Sequence, residues 1–133
     1  MSEIIESLAA DAACDVLRTT DLADFLAANS RALLFFTGDI ARRREGLDVA
    51  VVVRELLATH AGQLRLGLVD RRDEAALMSE FGVVVTPAVV YIRDGRAAEL
   101  VARMRDWPVY AQACDRLLAP SDAESMGPTG GNA

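Results

Sequence analysis

The sequence holds few of the residues that carry redox and metal chemistry. Its 133 residues include two cysteines, Cys14 and Cys114, and one histidine, His60, and no cysteine lies between positions 30 and 86. Two cysteines near opposite ends of a chain match no metal-ligand or redox spacing, and a lone histidine cannot assemble a metal site. We therefore expect no cofactor and no metal, with both thiols reduced and buried.

Basic charge and long apolar runs are also scarce. The chain has 14 basic and 20 acidic residues, which gives a net charge of −6. A general nucleic-acid binder needs a basic face that neutralises phosphates, so this class of protein is excluded. An acidic surface suits a basic partner, or it serves solubility alone.

No apolar run approaches the length of about 18 residues that a membrane-spanning helix needs. Residues 1–6 lack the basic start and the apolar stretch of a secretory signal. We expect a cytoplasmic protein with no direct membrane insertion.

The apolar pattern predicts one α/β domain over residues 1–119 and a flexible tail over residues 120–133, which are rich in glycine, serine and proline. Right-handed crossovers make the first three strands parallel, and the Asp-Gly pair at 94–95 turns a hairpin that adds an antiparallel edge. Helices are expected on both faces of the sheet. The predicted strands cover residues 14–18, 32–37, 64–69, 88–92 and 97–103; the predicted helices cover residues 3–12, a segment capped by Thr20, 47–59 with a stop at Gly62, 73–81, and a last segment begun by Trp107 and Pro108.

The order of these elements and four short motifs resemble the thioredoxin superfamily over about residues 14–118. The motifs are a turn after Phe36-Thr37, a helix exit at Phe81-Gly82-Val83, the pair Thr86-Pro87 and the hairpin at 93–96. The resemblance implies a thioredoxin-like fold, with a central mixed sheet flanked by helices. It also implies a cis peptide bond before Pro87, beside exposed backbone that pairs with extended peptides.

The chain departs from thioredoxins where their chemistry lies. By that resemblance, Ile40 and Arg43 stand where the two redox cysteines belong, and Leu34 stands where thioredoxins carry a buried carboxylate. Disulfide exchange needs one thiolate that attacks sulfur and a second thiol that resolves the mixed disulfide. A site with Ile40 and Arg43 cannot perform it, so we expect a binding protein and no enzyme.

A narrower resemblance covers nearly the whole chain. The Leu-Leu-Phe-Phe strand, the charged cysteine-free segment after it, the stretch from Phe81 to Pro87 and the Trp107-Pro108 helix start look like hydrogenase-expression accessory proteins of the HyaE/HupG type. The resemblance implies a non-catalytic chaperone for [NiFe] hydrogenase maturation. Its expected partners are the hydrogenase small-subunit precursor, bound before export together with its twin-arginine signal peptide, and other hydrogenase accessory proteins.

A receptor for two arginines followed by an apolar stretch should present carboxylates beside an apolar groove. Asp39, Glu45 and Asp48 lie around the start of the long helix, and Asp70 and Asp73 follow a parallel strand, where open α/β sheets place ligand crevices. The alternative is that these side chains only cap helices and complement the helix dipole.

The other candidate binding residues are basic or apolar. The run Arg42-Arg43-Arg44 suits an acidic surface, a phosphate or a carboxylate, or is simply solvated. Val85, Thr86 and Pro87 offer an extended peptide apolar contacts and backbone groups, unless the neighbouring valines only fill the core. Trp107 either anchors a partner or packs the last helix on the sheet, and we expect the packing role.

Two other functions remain open. A thiol-redox protein that uses Cys14 or Cys114 would need at least one exposed thiol with a lowered pKa. A thioredoxin-like adaptor with an unrelated client would need only a binding surface, such as an exposed edge strand.

Overall fold

The structure, a computed structural model, describes residues 2–120. Five strands form one mixed sheet: β1 (Cys14–Leu17), β2 (Arg31–Phe36), β3 (Arg65–Val69), β4 (Ala88–Arg93) and β5 (Arg96–Ala102). Their order across the sheet is β1-β3-β2-β4-β5. The first three strands are parallel to one another, and β4 and β5 form an antiparallel hairpin, as predicted. Strand β4 is also antiparallel to β2. The tail predicted from residue 120 lies, after Pro120, outside the described residues.

Five helices cover the sheet: α1 (Glu3–Ala10), α2 (Leu22–Ala28), α3 (Glu45–Thr59), α4 (Glu74–Phe81) and α5 (Trp107–Leu118). The side chains of α1, α3 and α5 pack with one face of the sheet, and those of α2 and α4 pack with the other. Strand β2 lies between the two layers with its last five residues buried, which is why its sequence is apolar without alternation. In α3, burial of valines outweighs their poor helix propensity. No helix within residues 2–120 is long and apolar enough to cross a membrane.

Several predicted helix ends were wrong. Thr20 caps no helix, because it lies in a 3₁₀ turn, Thr19–Asp21, that precedes α2. Helix α3 begins two residues before the predicted start, and its C-cap is His60; Gly62 lies in the following turn with φ of 82°. Helix α4 begins at Glu74, one residue after the predicted start, and the side chain of Asp73, its N-cap residue, does not cap it.

Two backbone predictions are confirmed. The hairpin between β4 and β5 turns at Asp94 and Gly95, whose φ values are 53° and 82°. The Thr86-Pro87 peptide bond is cis. Because β4 runs antiparallel to both β2 and β5, the start of β4 and the end of β5 lie at the same end of the sheet as the carboxyl end of β2.

Candidate functional site

The loop between β2 and α3 meets the loop between α4 and β4 at the carboxyl end of β2. A pocket of about 300 Å³ lies between them, lined by Thr37, Gly38, Asp39, Arg42, Arg43 and Thr86. The lining therefore joins the loop at the expected thiol position to the residue before the cis proline. Four of the predicted site residues, namely Asp39, Arg42, Arg43 and Thr86, share this pocket.

Gly38 sets how closely the two loops approach. Its φ is 71°, and a Cβ atom at this position would lie 2.3 Å from the Thr86 hydroxyl oxygen and 2.8 Å from the Thr86 Cβ. Glycine is the residue that tolerates both the positive φ and this contact. The N–H of Gly38 donates to Glu74 Oε2 at 3.1 Å.

Glu74 is a buried carboxylate that the sequence reasoning missed. It is the first residue of α4, its relative exposure is 3%, and its Oε1 accepts from Arg71. Acidic residues are common in the first turn of a helix, so the sequence gives no signal that this one points inward. Leu34 is buried and apolar, as expected. The carboxylate at this end of the sheet is thus supplied by α4 and not by β2.

Arg103 fixes the loop between β5 and α5. Its guanidinium donates to both carboxylate oxygens of Glu45, at distances of 2.7–3.1 Å, and Met104 N–H donates to the same carboxylate at 2.6 Å. These donors hold the pKa of the Glu45 carboxyl below its usual value. The N–H of Arg103 donates to Pro87 O at 2.7 Å, and its carbonyl accepts from Tyr110 Oη at 3.0 Å. The loop is therefore tied to α3, to the cis proline and to α5.

The predicted acidic residues do not form one cluster of free carboxylates. Asp70 forms a two-pronged contact with Arg72, which lowers its pKa to about 2. Asp73 accepts from Arg18 at 2.9 Å and from Thr19 N–H, so its pKa is also lowered. The capping alternative holds for Asp70, which caps the 3₁₀ turn Arg71–Asp73 by accepting from Arg72 N–H, whereas Asp39 accepts from Ala41 N–H in a turn and caps no helix. Within residues 2–120, Asp39 and Asp48 are exposed and take part in no ion pair.

A second pocket, of about 340 Å³, lies beside the first and shares Thr37 with it. Apolar side chains of α1, β1 and β3 line most of it, and Asp70, Arg71 and Arg72 line the rest. This arrangement matches the expected carboxylate beside an apolar groove, although the Asp70 carboxylate is already in an ion pair with Arg72.

The remaining candidates differ in exposure. Ile40 is half-buried against the core, and Arg44, the residue before α3, is exposed. Val83 is buried, whereas Val84 is 85% exposed and Val85 is 42% exposed, so these two valines do not only fill the core. Trp107 is 39% exposed, so part of its side chain is accessible to a partner and the larger part is covered; that it packs α5 on the sheet stays a prediction.

Neither thiol has the properties of a redox centre. Cys14 and Cys114 are free and buried, and burial raises the pKa of each thiol to about 11. Among the described residues, no group of three or more histidine, cysteine or acidic side chains is placed to hold a metal ion. The requirement for the thiol-redox alternative, an exposed thiol with a lowered pKa, is not met.

Comparison with known proteins gives the family. The sequence model of the family described as "Hydrogenase-1 expression protein HyaE" matches residues 4–110. The hydrogenase expression/formation protein HupG of Rhizobium leguminosarum bv. viciae is 37% identical over 134 residues, which cover 98% of this chain and 89% of the relative.

One solved structure supports the family and the fold, and a second shows the fold. The crystal structure described as a putative hydrogenase expression/formation protein HupG from Rhodopseudomonas palustris superposes with a TM-score of 0.54 at 32% identity, over 77% of this chain and 93% of that one. A mutant thioredoxin from Halobacterium salinarum superposes with a TM-score of 0.66 over 78% of this chain and 88% of that one; at 23% identity it shows the fold alone. The chain, a thioredoxin-like domain with no cysteine in the loop after β2, thus belongs to the HyaE family of hydrogenase expression proteins.

Proposed function

We propose that this protein is a non-catalytic accessory protein of [NiFe] hydrogenase maturation. It binds the hydrogenase small-subunit precursor, including its twin-arginine signal peptide, in the cytoplasm before export. One observation carries the proposal: the loop before the cis proline presents exposed Val84 and Val85, while the thiol positions hold Ile40 and Arg43. The peptide-contacting half of a thioredoxin-like site is present without the half that exchanges disulfides.

The apolar part of the signal fits the surface around Pro87. Val84 and Val85 lie in the loop before β4 and Met104 in the loop after β5, and the Arg103 N–H to Pro87 O hydrogen bond holds these two loops together. With Trp107, the first residue of α5, these side chains are each at least 39% exposed. Exposed apolar side chains in neighbouring loops lose water-accessible area when a peptide covers them, which favours binding.

The two arginines of the signal need carboxylates that are not already in an ion pair with an arginine of this chain. Asp39 and Asp48, exposed at the β2–α3 loop and on the first turns of α3, meet this condition within residues 2–120. Glu45, Asp70 and Asp73 would first have to release Arg103, Arg72 and Arg18. We therefore assign the arginine contacts to Asp39 and Asp48 and the apolar contacts to the Pro87 surface.

Amide NMR spectra of the labelled full chain, recorded during addition of a twin-arginine signal peptide from a hydrogenase small subunit, test this proposal. We expect saturable shifts around residues 39–48 and 83–88, and weaker binding of a peptide in which two lysines replace the arginines, because lysine cannot form two-pronged contacts with a carboxylate. A peptide that causes no shifts would exclude direct recognition of the signal. The mature part of the precursor would then be tested by co-purification.

A pair of matched variants locates the apolar contact. Val85→Ser removes exposed apolar area beside Pro87, and Val51→Ser removes a similar area from α3, where Val51 is 48% exposed. We expect Val85→Ser alone to weaken peptide binding, by a factor of about five to ten for the lost apolar contact. Equal effects of the two substitutions would contradict the assigned surface.

A further inference from the structure

The outer edge of β1 is open at one residue. Among residues 2–120, strand β1 is at the edge of the sheet and pairs with β3 alone. Ala13 O and Leu17 O accept from N–H groups in and just after β3. The backbone N–H and C=O groups of the odd-numbered residues in this segment therefore point toward β3, and those of the even-numbered residues point away from the sheet. The N–H and C=O of Val16 therefore point away from β3, and neither group has a hydrogen-bond partner within residues 2–120.

The two ends of this edge are closed by local hydrogen bonds. Cys14 N–H donates to Asp11 O at 2.9 Å, and Arg18 N–H donates to Asp21 Oδ2 at 2.8 Å. Val16 lies between them, with 44% of its surface exposed. One residue with both backbone groups open is enough to pair with a short extended segment but not with a long strand.

The two sides of this edge differ in chemistry. On the side of α2, a pocket of about 340 Å³ has Leu17 and Phe25 in its lining, and the ionisable residues that line it are Asp15, Asp21 and Asp24. Asp15 is in an ion pair with Arg65 at 2.7 Å, whereas Asp21 and Asp24 take part in no ion pair within residues 2–120. On the side of α1 lies the apolar pocket described above, lined there by Ile5, Ala9 and Leu68. Val16 borders both pockets.

We propose that the β1 edge binds a short extended segment of a partner protein in which one apolar residue is flanked by two basic residues. Cys14 packs in the core layer under α1 and Leu17 in the opposite layer, so Val16 faces α1. A residue that pairs with Val16 directs its side chain to the same face and into the apolar pocket. The residues before and after it face the other way, toward the three aspartates.

Charge favours such a segment over a second copy of this chain. Pairing two β1 edges would bring Asp21 and Asp24, which no arginine neutralises within residues 2–120, close to the same residues of the other copy, and the whole chain already carries a net charge of −6. Like charges at short range oppose this contact between two copies, whereas the acidic pocket attracts an arginine or lysine side chain of a partner. The site goes beyond the proposed signal-binding surface, which lies around Pro87 and the start of α3.

The test uses the labelled full chain and a capped peptide with an Arg-Leu-Arg centre between glycine and serine residues. We expect saturable amide shifts over residues 14–18 and slower hydrogen exchange at the Val16 N–H. A peptide with a Leu-Arg-Leu centre, which places each side chain on the wrong face, is expected to bind at least about tenfold more weakly.

Two variants separate the backbone contact from the charge. Val16→Pro removes the outward N–H, and an edge strand tolerates proline where that group makes no ladder bond. It is expected to reduce affinity about tenfold or more while circular dichroism stays unchanged. Asp24→Asn is expected to weaken binding about two- to fivefold, with an effect that disappears at high salt.

Several results would overturn the inference: shifts confined to residues 37–44 and 83–87, equal binding of the two peptides, or normal binding by folded Val16→Pro. A dimer in sedimentation experiments, with Val16 protected from exchange in the absence of peptide, would replace the peptide by a second copy. If Val16→Pro does not fold, exchange at the Val16 N–H of the unaltered chain decides, and unchanged exchange at saturating peptide rejects the site.

Discussion

The two loops that meet beside the cis proline are held in place in different ways. The β2–α3 loop is held by close packing and by a buried carboxylate: Gly38 packs against Thr86, and its N–H donates to Glu74, which is almost fully buried. The β5–α5 loop depends on the ion pair between Arg103 and Glu45, whose side chains are 42% and 21% exposed. The first loop leaves little room for a side chain at Gly38 although the loop holds no cysteine, so this packing requirement does not depend on a thiol.

The largest effect is expected at Gly38. Gly38→Ala should lower the free energy of unfolding by about 3 kcal/mol, since it combines a positive φ with a contact that forces Thr86 to move. Gly62→Ala is the matched control, because Gly62 has a similar φ of 82° and open space around it, and should cost about 1 kcal/mol. Urea unfolding measures both. Equal costs would mean that the close approach of Gly38 to Thr86 adds nothing to the cost of the positive φ.

The second prediction concerns the thiols, which lie in neither loop. Raising a thiol pKa from 9.0 to about 11 lowers the thiolate fraction at neutral pH about 100-fold. Alkylation of the native protein should therefore be at least about 100-fold slower than alkylation in guanidinium chloride. Mass spectrometry after a timed quench reads out each cysteine. Rapid labelling of either one in the native protein would restore the thiol-redox alternative.

A smaller effect is expected at Glu74. Glu74→Ala leaves the Gly38 N–H without an acceptor and should lower the free energy of unfolding by about 2 kcal/mol. Glu74→Gln keeps an acceptor and should cost about half as much. The control is Glu80→Ala on the exposed side of the same helix, with an expected change within about 0.5 kcal/mol. Thermal unfolding of the three variants gives the ranking, and a Glu74→Ala variant as stable as Glu80→Ala would remove Glu74 as the anchor of this loop.

The smallest effect is expected at Glu45 and depends on pH. Because Arg103 lowers the pKa of Glu45 in the folded chain, the ion pair stabilises the protein above the ordinary value of 4.5, and this contribution is lost as the pH falls through the lower, folded value. Water screens the partly exposed pair, so the contribution is below about 1 kcal/mol. Urea unfolding between about pH 6 and pH 3 should therefore show a flatter profile for Glu45→Gln than for the unaltered chain. Identical profiles would show that the ion pair adds no stability.

The features that the sequence predicted well have local causes. The unbroken apolar run of β2 requires cover on both faces, and Asp94-Gly95 accepts the positive φ values of a tight turn. Thr20 was misjudged at the same local level, because Asp21 turns its side chain back to Arg18 N–H and a 3₁₀ turn delays the helix.

The contacts of the candidate site join residues that are far apart in the chain. Glu74 is 36 positions from Gly38, Asp73 is 55 from Arg18, and Arg103 is 58 from Glu45. Nothing near an acidic residue in the sequence states which arginine will reach it once the strands are in order. The sequence therefore predicted where the acidic residues lie along the fold, but not that most of them are already occupied.

Trp107 has a consequence for how binding can be observed. It is the only tryptophan in the chain, it is partly exposed, and it begins α5 just after the loop that contains Arg103. Its fluorescence therefore reports on the surroundings of that loop without a label. Strand β1 lies four strand spacings from β5, roughly 19 Å across the sheet. A ligand that changes the emission of Trp107 covers the surface near Pro87, and one that binds at Val16 leaves the emission as it was.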